Sequence, residues 1–595
     1  MIACWNVSPP TTLDTAASME NRRSPMEIDR AFEPLALTAI SHNRSSSIHK
    51  GNPVDQNKPD LKRHENPAPT HHEVSDDFDF IVCGAGSSGS VIAARLAQCG
   101  SARVLLLEAG GDDVAESVRD PAQWPLNLGT SRDWGFVGEP APELYGRRLP
   151  LSMGKGLGGG SSINVMVWAR GHMEDWNYFA AEAGDEAWGY ESVLGYYRRI
   201  EDWRGTPDTV RRGAGGPVYV AQPRSPQPIA EALLNAASAI GIPVFDTPNG
   251  ELMESGGGAS IAELRIRDGK RESVFGSYVR PLMSRPNLTV LTDALVTRII
   301  FDGIRATGVD VLVNGQRCAF TARCETVLSL GAINTPKVLM QSGIGPRDEL
   351  KAHGISVVQH LPGVGRNHQD HLAFGCTWAY RKPEGIGGGG CEAKLYWKSD
   401  SRLSQPDILQ CQLEFAVPSP VETGLETPAH GWTMFSGLAQ PKSRGRLRLS
   451  GPNTNDPILI EPNSLSEPED VAAALAAVEL CRELGNSDAF TPLVACEAVP
   501  GTRDRAGMID FIRKSAVTYW HQSCTAKMGR DSMSVVNNEL KVYGVESLRI
   551  ADASIMPRIT TGNTMAPCVV IGERAGDLIR KTHGLADSSG VAPFA

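Results

Sequence analysis

The sequence predicts a mixed α/β protein of two domains, and three stretches carry that prediction. In "FDFIVCGAGSSG" (78–89) a short apolar run meets a glycine-rich turn, after which come a helical pattern and a second apolar run. "GKGLGGGSSIN" (154–164) is a second glycine-rich run, and the apolar "VMVW" that follows it argues for packing rather than free solvent exposure. From 406 to 484, strand-like runs separated by turns give way to an amphipathic helix.

Bulk properties bound the answer. A chain of 595 residues is too long for one core and fits two large domains, or one with a second inserted in it; 41% apolar content supplies a sizeable interior. A formal net charge of −10 with no basic run argues against a nucleic-acid partner. The 12 cysteines are scattered without metal-ligand spacing and read as thiols in a reducing compartment. No window offers the ~18 apolar residues of a membrane span. The start lacks a basic segment followed by an apolar one, so no secretory signal is read and a cytoplasmic location is expected. Residues 1–76, rich in Ser, Thr, Asn, Pro and charge, read as a disordered extension that includes His71 and His72; initiation at Met19 or Met26 is an alternative. Residues 586–595 read as a tail.

Folded sequence begins at Asp77. "FDFIVC" (78–83) reads as a buried strand, "SVIAARLAQCG" (90–100) as a helix, and "ARVLLLEAGG" (102–111) as a second strand ending in Glu108. Each residue of the intervening turn, which includes Ser87 and Ser88, has a physical task. Gly84 makes the tight bend, Gly86 lets a pyrophosphate approach the backbone, and Gly89 lets the helix pack on the strand. The helix N-terminus faces phosphate charge, and Glu108 accepts hydrogen bonds from ribose hydroxyls. This is a Rossmann-like dinucleotide unit, and an acid at 108 disfavours a 2′-phosphate, leaving NAD or FAD. The second run chooses between them. A flavin dinucleotide is long and needs another flush backbone segment near its ring. "MGKGLGGGSSINVMVWARG" (153–171) supplies glycines, with Ser161, Ser162 and Asn164 as polar contacts.

That segment resembles the first signature of the glucose–methanol–choline (GMC) flavoprotein oxidoreductases. "LSLGAINTPKVLMQSGIGP" (328–346) resembles the second. "LPGVGRNHQDHL" (361–372), "WHQSCTAKMG" (520–529) and "LRIADASIMPRITTGNTMAPCVVIGERAGDLI" (548–579) match later family segments, in order, over roughly 77–585. The resemblance implies FAD, with its ADP half on the first loop. Its flavin half falls on the second loop, at Gly156, Gly159, Ser161, Asn164, Val165 and Met166. It places Val296 against the adenine, Asp552 near the ribityl and phosphate portion, and Asn563 and Thr564 in the carboxy-terminal flavin segment. Some family members attach FAD through a histidine just before the loop asparagine; Ile163 stands there, so dissociable, non-covalent FAD is expected.

The chemistry implied is oxidation of a primary alcohol to an aldehyde. The flavin takes a hydride and a protein base takes the hydroxyl proton. His521 matches the family base and Asn563 its partner, an amide able to bind the hydroxyl without competing for the proton. The family has Pro and Gly where this chain has Gln522 and Cys524, which leaves the local backbone shape open; Cys524 reads as a small buried thiol. "HQDH" (368–371) reads as a structural loop, not a metal site. Trp520 suits either a cover over the site or ordinary packing.

The likeness divides the chain into an FAD-binding domain (77–372 and 516–585) and a substrate-binding domain (373–515). The latter is expected as an antiparallel sheet with helices behind it. Its strand-like runs are 406–417, 432–441, 445–451 and 456–462, its helix is 469–484, and "EGIGGGGCEAK" (384–394) is a loop or a lid. A small-molecule alcohol and an electron acceptor, O2 or a quinone or dye-like carrier, are the expected partners. A lyase on the same fold and a non-catalytic flavoprotein are the alternatives.

Overall fold

The computed structural model describes residues 77–382 and 389–586. The extension read over 1–76, the tail beyond 586, and residues 383–388, which include the first half of the glycine-rich loop 384–394, lie outside the described residues.

Two seven-stranded sheets carry the fold. In the first, Leu288–Leu291, Val104–Leu107, Asp77–Cys83 and Gln316–Leu328 lie side by side in parallel, and Leu548–Ile550 joins Gln316–Leu328 in parallel. The sheet continues antiparallel through Arg305–Val313 to Ala294–Asp302. Val104–Leu107 is buried at every position, as a strand covered on both faces requires. The helix Ser87–Gln98 starts directly after the first glycine turn, with Gly86 at its N-cap. The long helix Met565–His583 lies against it. A Cβ built on Gly572 would stand 2.7 Å from Ser88 O, and one on Gly576 would stand 3.0 Å from Arg95 Cβ. Two glycines four residues apart on one face thus let the helices approach closely.

The second sheet runs Val494–Val499, Leu372–Tyr380, Gly431–Leu438, Ile408–Leu413, Ala393–Trp397 and Gly258–Ile261, with Val517–Thr518 as a seventh strand on Leu372–Tyr380, antiparallel throughout. This corrects the sequence reading in two places. The sheet does not begin at 373, because Gly258–Ile261 is its edge strand. The runs at 445–451 and 456–462 are strands (Gly445–Leu449, Ile458–Glu461), but they pair with Arg366–His368 in a separate three-stranded sheet.

Period-two alternation sorts the faces of the second sheet. Gln410 Nε2 and Ser436 Oγ donate to Ala477 O in the helix Pro468–Gly485 (3.2 and 2.6 Å), and Gln412 Nε2 donates to Ile229 O in the helix Pro228–Ala239 (2.6 Å). The intervening Cys411, Leu413 and Phe435 line a cavity on the other face. The helices therefore lie behind the sheet. Among the described residues no helix is long and apolar enough to cross a membrane.

Candidate active site

The two glycine loops touch. Gly158 N–H donates to Ala85 O (2.8 Å), and a Cβ on Gly159, which sits at φ +52°, would lie 2.9 Å from Gly86 Cα. Gly84 has φ +98°, and a Cβ there would stand 2.4 Å from Ser329 O, so only glycine fits. Glu108 links the loops. Its Oε2 accepts from Ala85 N–H (3.0 Å), and its Oε1 accepts from Gly110 (2.9 Å) and from Gly156 in the second loop (3.0 Å). Burial pushes the Glu108 carboxyl up to about 7, against the lowering effect of these donors. Both oxygens of Glu108 thus serve to join the two loops.

One cavity, partly open to solvent, is lined by both loops and by the carboxy-terminal segment. Gly84, Gly86, Ser87, Ser88, Glu108, Gly159, Ser161, Asn164 and Val165 reach it from the amino-terminal half, and His521, Asp552, Asn563 and Thr564 from the other. A Cβ on Gly86, Gly160 or Gly331 would meet nothing within 4 Å; all three line the cavity and leave bare backbone toward it. Gly86 gives the helix Ser87–Gln98 no side-chain cap, so its first N–H groups suit a phosphate. These features fit a long dinucleotide with a planar ring.

Five expected contacts do not line the cavity. Ser162 Oγ donates to Leu157 O (2.6 Å). Gly89 packs helix on strand, since a Cβ there would stand 1.9 Å from Gly84 O. Gly156 gives its N–H to Glu108. Met166 is fully buried at φ +60° and gives its N–H to Asn164 Oδ1 (3.0 Å). Val296 is buried in the meander opposite Val311. Other side chains are already engaged. Ser88 Oγ donates to Cys568 O (2.7 Å), and Ser161 Oγ donates to Gly158 O (2.6 Å). Asp552 accepts from Gly331 N–H (2.9 Å), Thr335 Oγ1 (2.6 Å) and Ser554 N–H (2.8 Å).

His521 stands between two partners. Its Nε2 lies 3.2 Å from Asn563 Nδ2 and its Nδ1 lies 2.9 Å from His371 Nδ1. Lys394 Nζ contacts Asn563 Oδ1 at 2.5 Å, and His371 Nε2 contacts Ala439 O at 3.1 Å. The protons follow from these end groups. An ammonium only donates, so the amide oxygen of Asn563 faces Lys394 and its NH2 donates to His521 Nε2. A carbonyl only accepts, so His371 carries its proton on Nε2 and accepts at Nδ1. His521 is then protonated on Nδ1, and its Nε2 lone pair, beside the cavity, accepts from the Asn563 amide. Burial lowers both imidazoles, His371 to about 3; His521 is pulled well below the usual range by burial, then by His371 and Lys394. A neutral base is the result.

The backbone around His521 answers the question left open at Cys524. This residue sits at φ +73°, the left-handed region that favours glycine, which is the residue the family likeness leads one to expect there. Its thiol is buried and pushed up to about 12. Trp520, at φ +60°, lines the cavity and meets Trp124 edge-on with ring centroids 6.4 Å apart.

Sequence reasoning missed three features. His371 belongs to the site rather than to a merely structural loop. Lys394 is buried behind Asn563. Arg265 and Arg271, both buried, converge on Asn164 Oδ1 (3.1 and 3.0 Å), so that oxygen is occupied and the Asn164 side chain has only its NH2 for a ligand. No periodicity or spacing marks any of these; a basic residue inside a strand pattern reads as solvated.

Comparison with known proteins identifies the family. Two family models, both described as GMC oxidoreductase, match residues 78–373 and 441–572. The chain is 35% identical over 542 residues to an oxygen-dependent choline dehydrogenase of Brucella anthropi, covering 86% of this chain and 97% of that protein. It is 36% identical over 557 residues to mouse mitochondrial choline dehydrogenase (86% and 91% covered). Among solved structures it is similar to pyridoxine 4-oxidase from Mesorbium loti, with TM-score 0.80 and 32% identity over 85% of this chain and 99% of that one. A formate oxidase at 24% identity and TM-score 0.78 shares the fold. The chain belongs to the GMC oxidoreductase family.

Proposed function

We propose that this protein oxidises a primary alcohol to an aldehyde, with His521 as the base and Asn563 as its partner. The observation that carries the reading is the His521 Nε2 lone pair, held beside Asn563 in the cavity that the two glycine loops share. The substrate hydroxyl binds between Nε2 and the Asn563 amide. The proton moves to Nε2, and the amide steadies the oxygen it leaves. FAD, when bound, supplies the hydride acceptor. Gly84, Gly86 and the start of the helix Ser87–Gln98 would hold its pyrophosphate, and Gly159, Gly160 and Gly331 would hold its flat parts. Aromatic side chains, among them Trp124, Phe435 and Trp520, keep water from the reacting carbon.

FAD is dissociable in this reading, because Ile163, a cavity residue, cannot form a covalent link. O2 or a quinone or dye-like carrier returns the flavin to its oxidised state. A reducing, cytoplasmic setting is part of the proposal, supported by the cysteines among the described residues being free. The test is to mix purified holoprotein with primary alcohols under anaerobic conditions. Bleaching of the oxidised-flavin band is expected, with recovery in air at a rate that sorts oxidase from dehydrogenase. A flavin band that no primary alcohol bleaches would overturn the reading.

A further inference from the structure

Lys394 lies on the strand Ala393–Trp397 and is 1% exposed. Its register partner on the next strand is Cys411, a cavity residue, so its side chain leaves the sheet on the cavity face. Nζ ends 2.5 Å from Asn563 Oδ1 and 5.2 Å from the Tyr396 ring centroid. Among the described residues Lys394 makes no ion pair, unlike Arg366 and Arg402, which are salt-bridged. The two carboxylates that do line the cavity, Glu108 and Asp552, are occupied by backbone N–H groups elsewhere in it. Burial opposes the lysine charge. The amide oxygen of Asn563 and the face of the Tyr396 ring, both against Nζ, favour it. A charge inside the protein is weakly screened, and here a single amide separates it from the place where the hydroxyl binds.

The walls beside this charge are aromatic. Tyr519 stacks on His521 (4° between rings, centroids 5.7 Å apart) and meets Phe435 at 5.9 Å, while Trp124 and Trp520 meet edge-on. Aromatic faces accept flat rings and also attract cations. The buried ammonium decides between these uses, because a full positive charge with no carboxylate to offset it repels a second cation at close range.

We propose that Lys394 sets substrate class: together with the aromatic walls it selects an aromatic primary alcohol that is neutral or carries a carboxylate, and rejects quaternary-ammonium alcohols. This rests on the alcohol-oxidation reading for the word alcohol, but the charge preference is a property of binding alone. It sets the chain apart from relatives whose names specify choline. Lys394 is also a positioning residue, since its donor fixes which end of the Asn563 amide meets His521.

The test uses the FAD-loaded full chain and two redox-inert probes of similar size, benzoate and phenyltrimethylammonium, titrated by perturbation of the flavin absorbance. Benzoate is expected to bind at least tenfold tighter. Lys394→Met, which keeps the length and removes the charge, is expected to erase most of that ratio while the flavin spectrum persists. Lys394→Arg is expected to retain it. Equal or tighter binding of phenyltrimethylammonium to the unaltered protein overturns the proposal, as does an unchanged ratio in Lys394→Met. The first comparison needs no variant, so a misfolded substitution does not blunt the test. Discrimination between the probes in a protein whose flavin no alcohol bleaches would support this inference and remove the alcohol-oxidation reading.

Discussion

His371 and His521 face each other Nδ1 to Nδ1 at 2.9 Å, ring planes at 89°, both enclosed in the protein. Only one of these nitrogens carries the proton, and the carbonyl of Ala439 on the far side of His371 determines which. His371 therefore acts on the base by fixing its tautomer. His371→Leu leaves a buried N–H of His521 without an acceptor and frees the ring to turn. We expect kcat/KM to fall roughly 10- to 100-fold, part of the ~10²–10⁴ that a positioned base contributes. His371→Gln, which restores an acceptor, should recover some of it. Equal losses in the two variants would argue for a packing role alone.

Removing the base itself is the stronger perturbation. His521→Ala is expected to lower kcat by about 10²–10⁴ while FAD stays bound, since the imidazole supplies no contact to the glycine loops. Stopped-flow flavin reduction measures the step directly. A variant that reduces its flavin at the normal rate would remove His521 from the mechanism.

The pH profile follows from the same surroundings. A base acts when neutral. Burial, then His371, then Lys394 pull the pKa of His521 well below 6.5. The sign is that protonation is penalised, so the acid limb of kcat/KM moves to lower pH and the profile stays flat from about pH 6.5 upward. Rates measured from pH 5 to 8 check this, and a limb centred at or above 6.5 contradicts it.

Glu108 joins the two loops through Ala85 and Gly156. Glu108→Gln turns one acceptor into a donor that faces an N–H group. Leaving a buried polar group unsatisfied costs about 1–3 kcal/mol, so the Kd for FAD should rise about 10- to 100-fold. Titration of apoprotein with FAD measures it; an unchanged Kd would mean that the loops hold their shape without the acid.

Gly159→Ala tests the contact between the loops. The new Cβ would meet the Gly86 backbone at 2.9 Å in a left-handed conformation. Strain of about 1–3 kcal/mol, together with displacement of Gly86, should cost FAD retention on a desalting column. Gly100→Ala, at φ +75° but with nothing within 4 Å, controls for backbone strain without the clash.

Much of the molecule was legible in its residues because much of it is local. The turn at Gly84, the strand–helix–strand unit ending in Glu108 and the helix Pro468–Gly485 all express short-range rules of φ, ψ and apolar period. The family likeness brought His521 and Asn563 together across 42 positions. What the tertiary structure alone decided is the surroundings of that pair. Lys394 reaches Asn563 across 169 positions and His371 reaches His521 across 150. Strand register aims the lysine at the cavity, because a shift of one residue would have turned it to the helix side. Register, burial and charge pairing depend on which segments meet. A linear pattern of polar and apolar residues records the face a segment needs, not the neighbour it finds there.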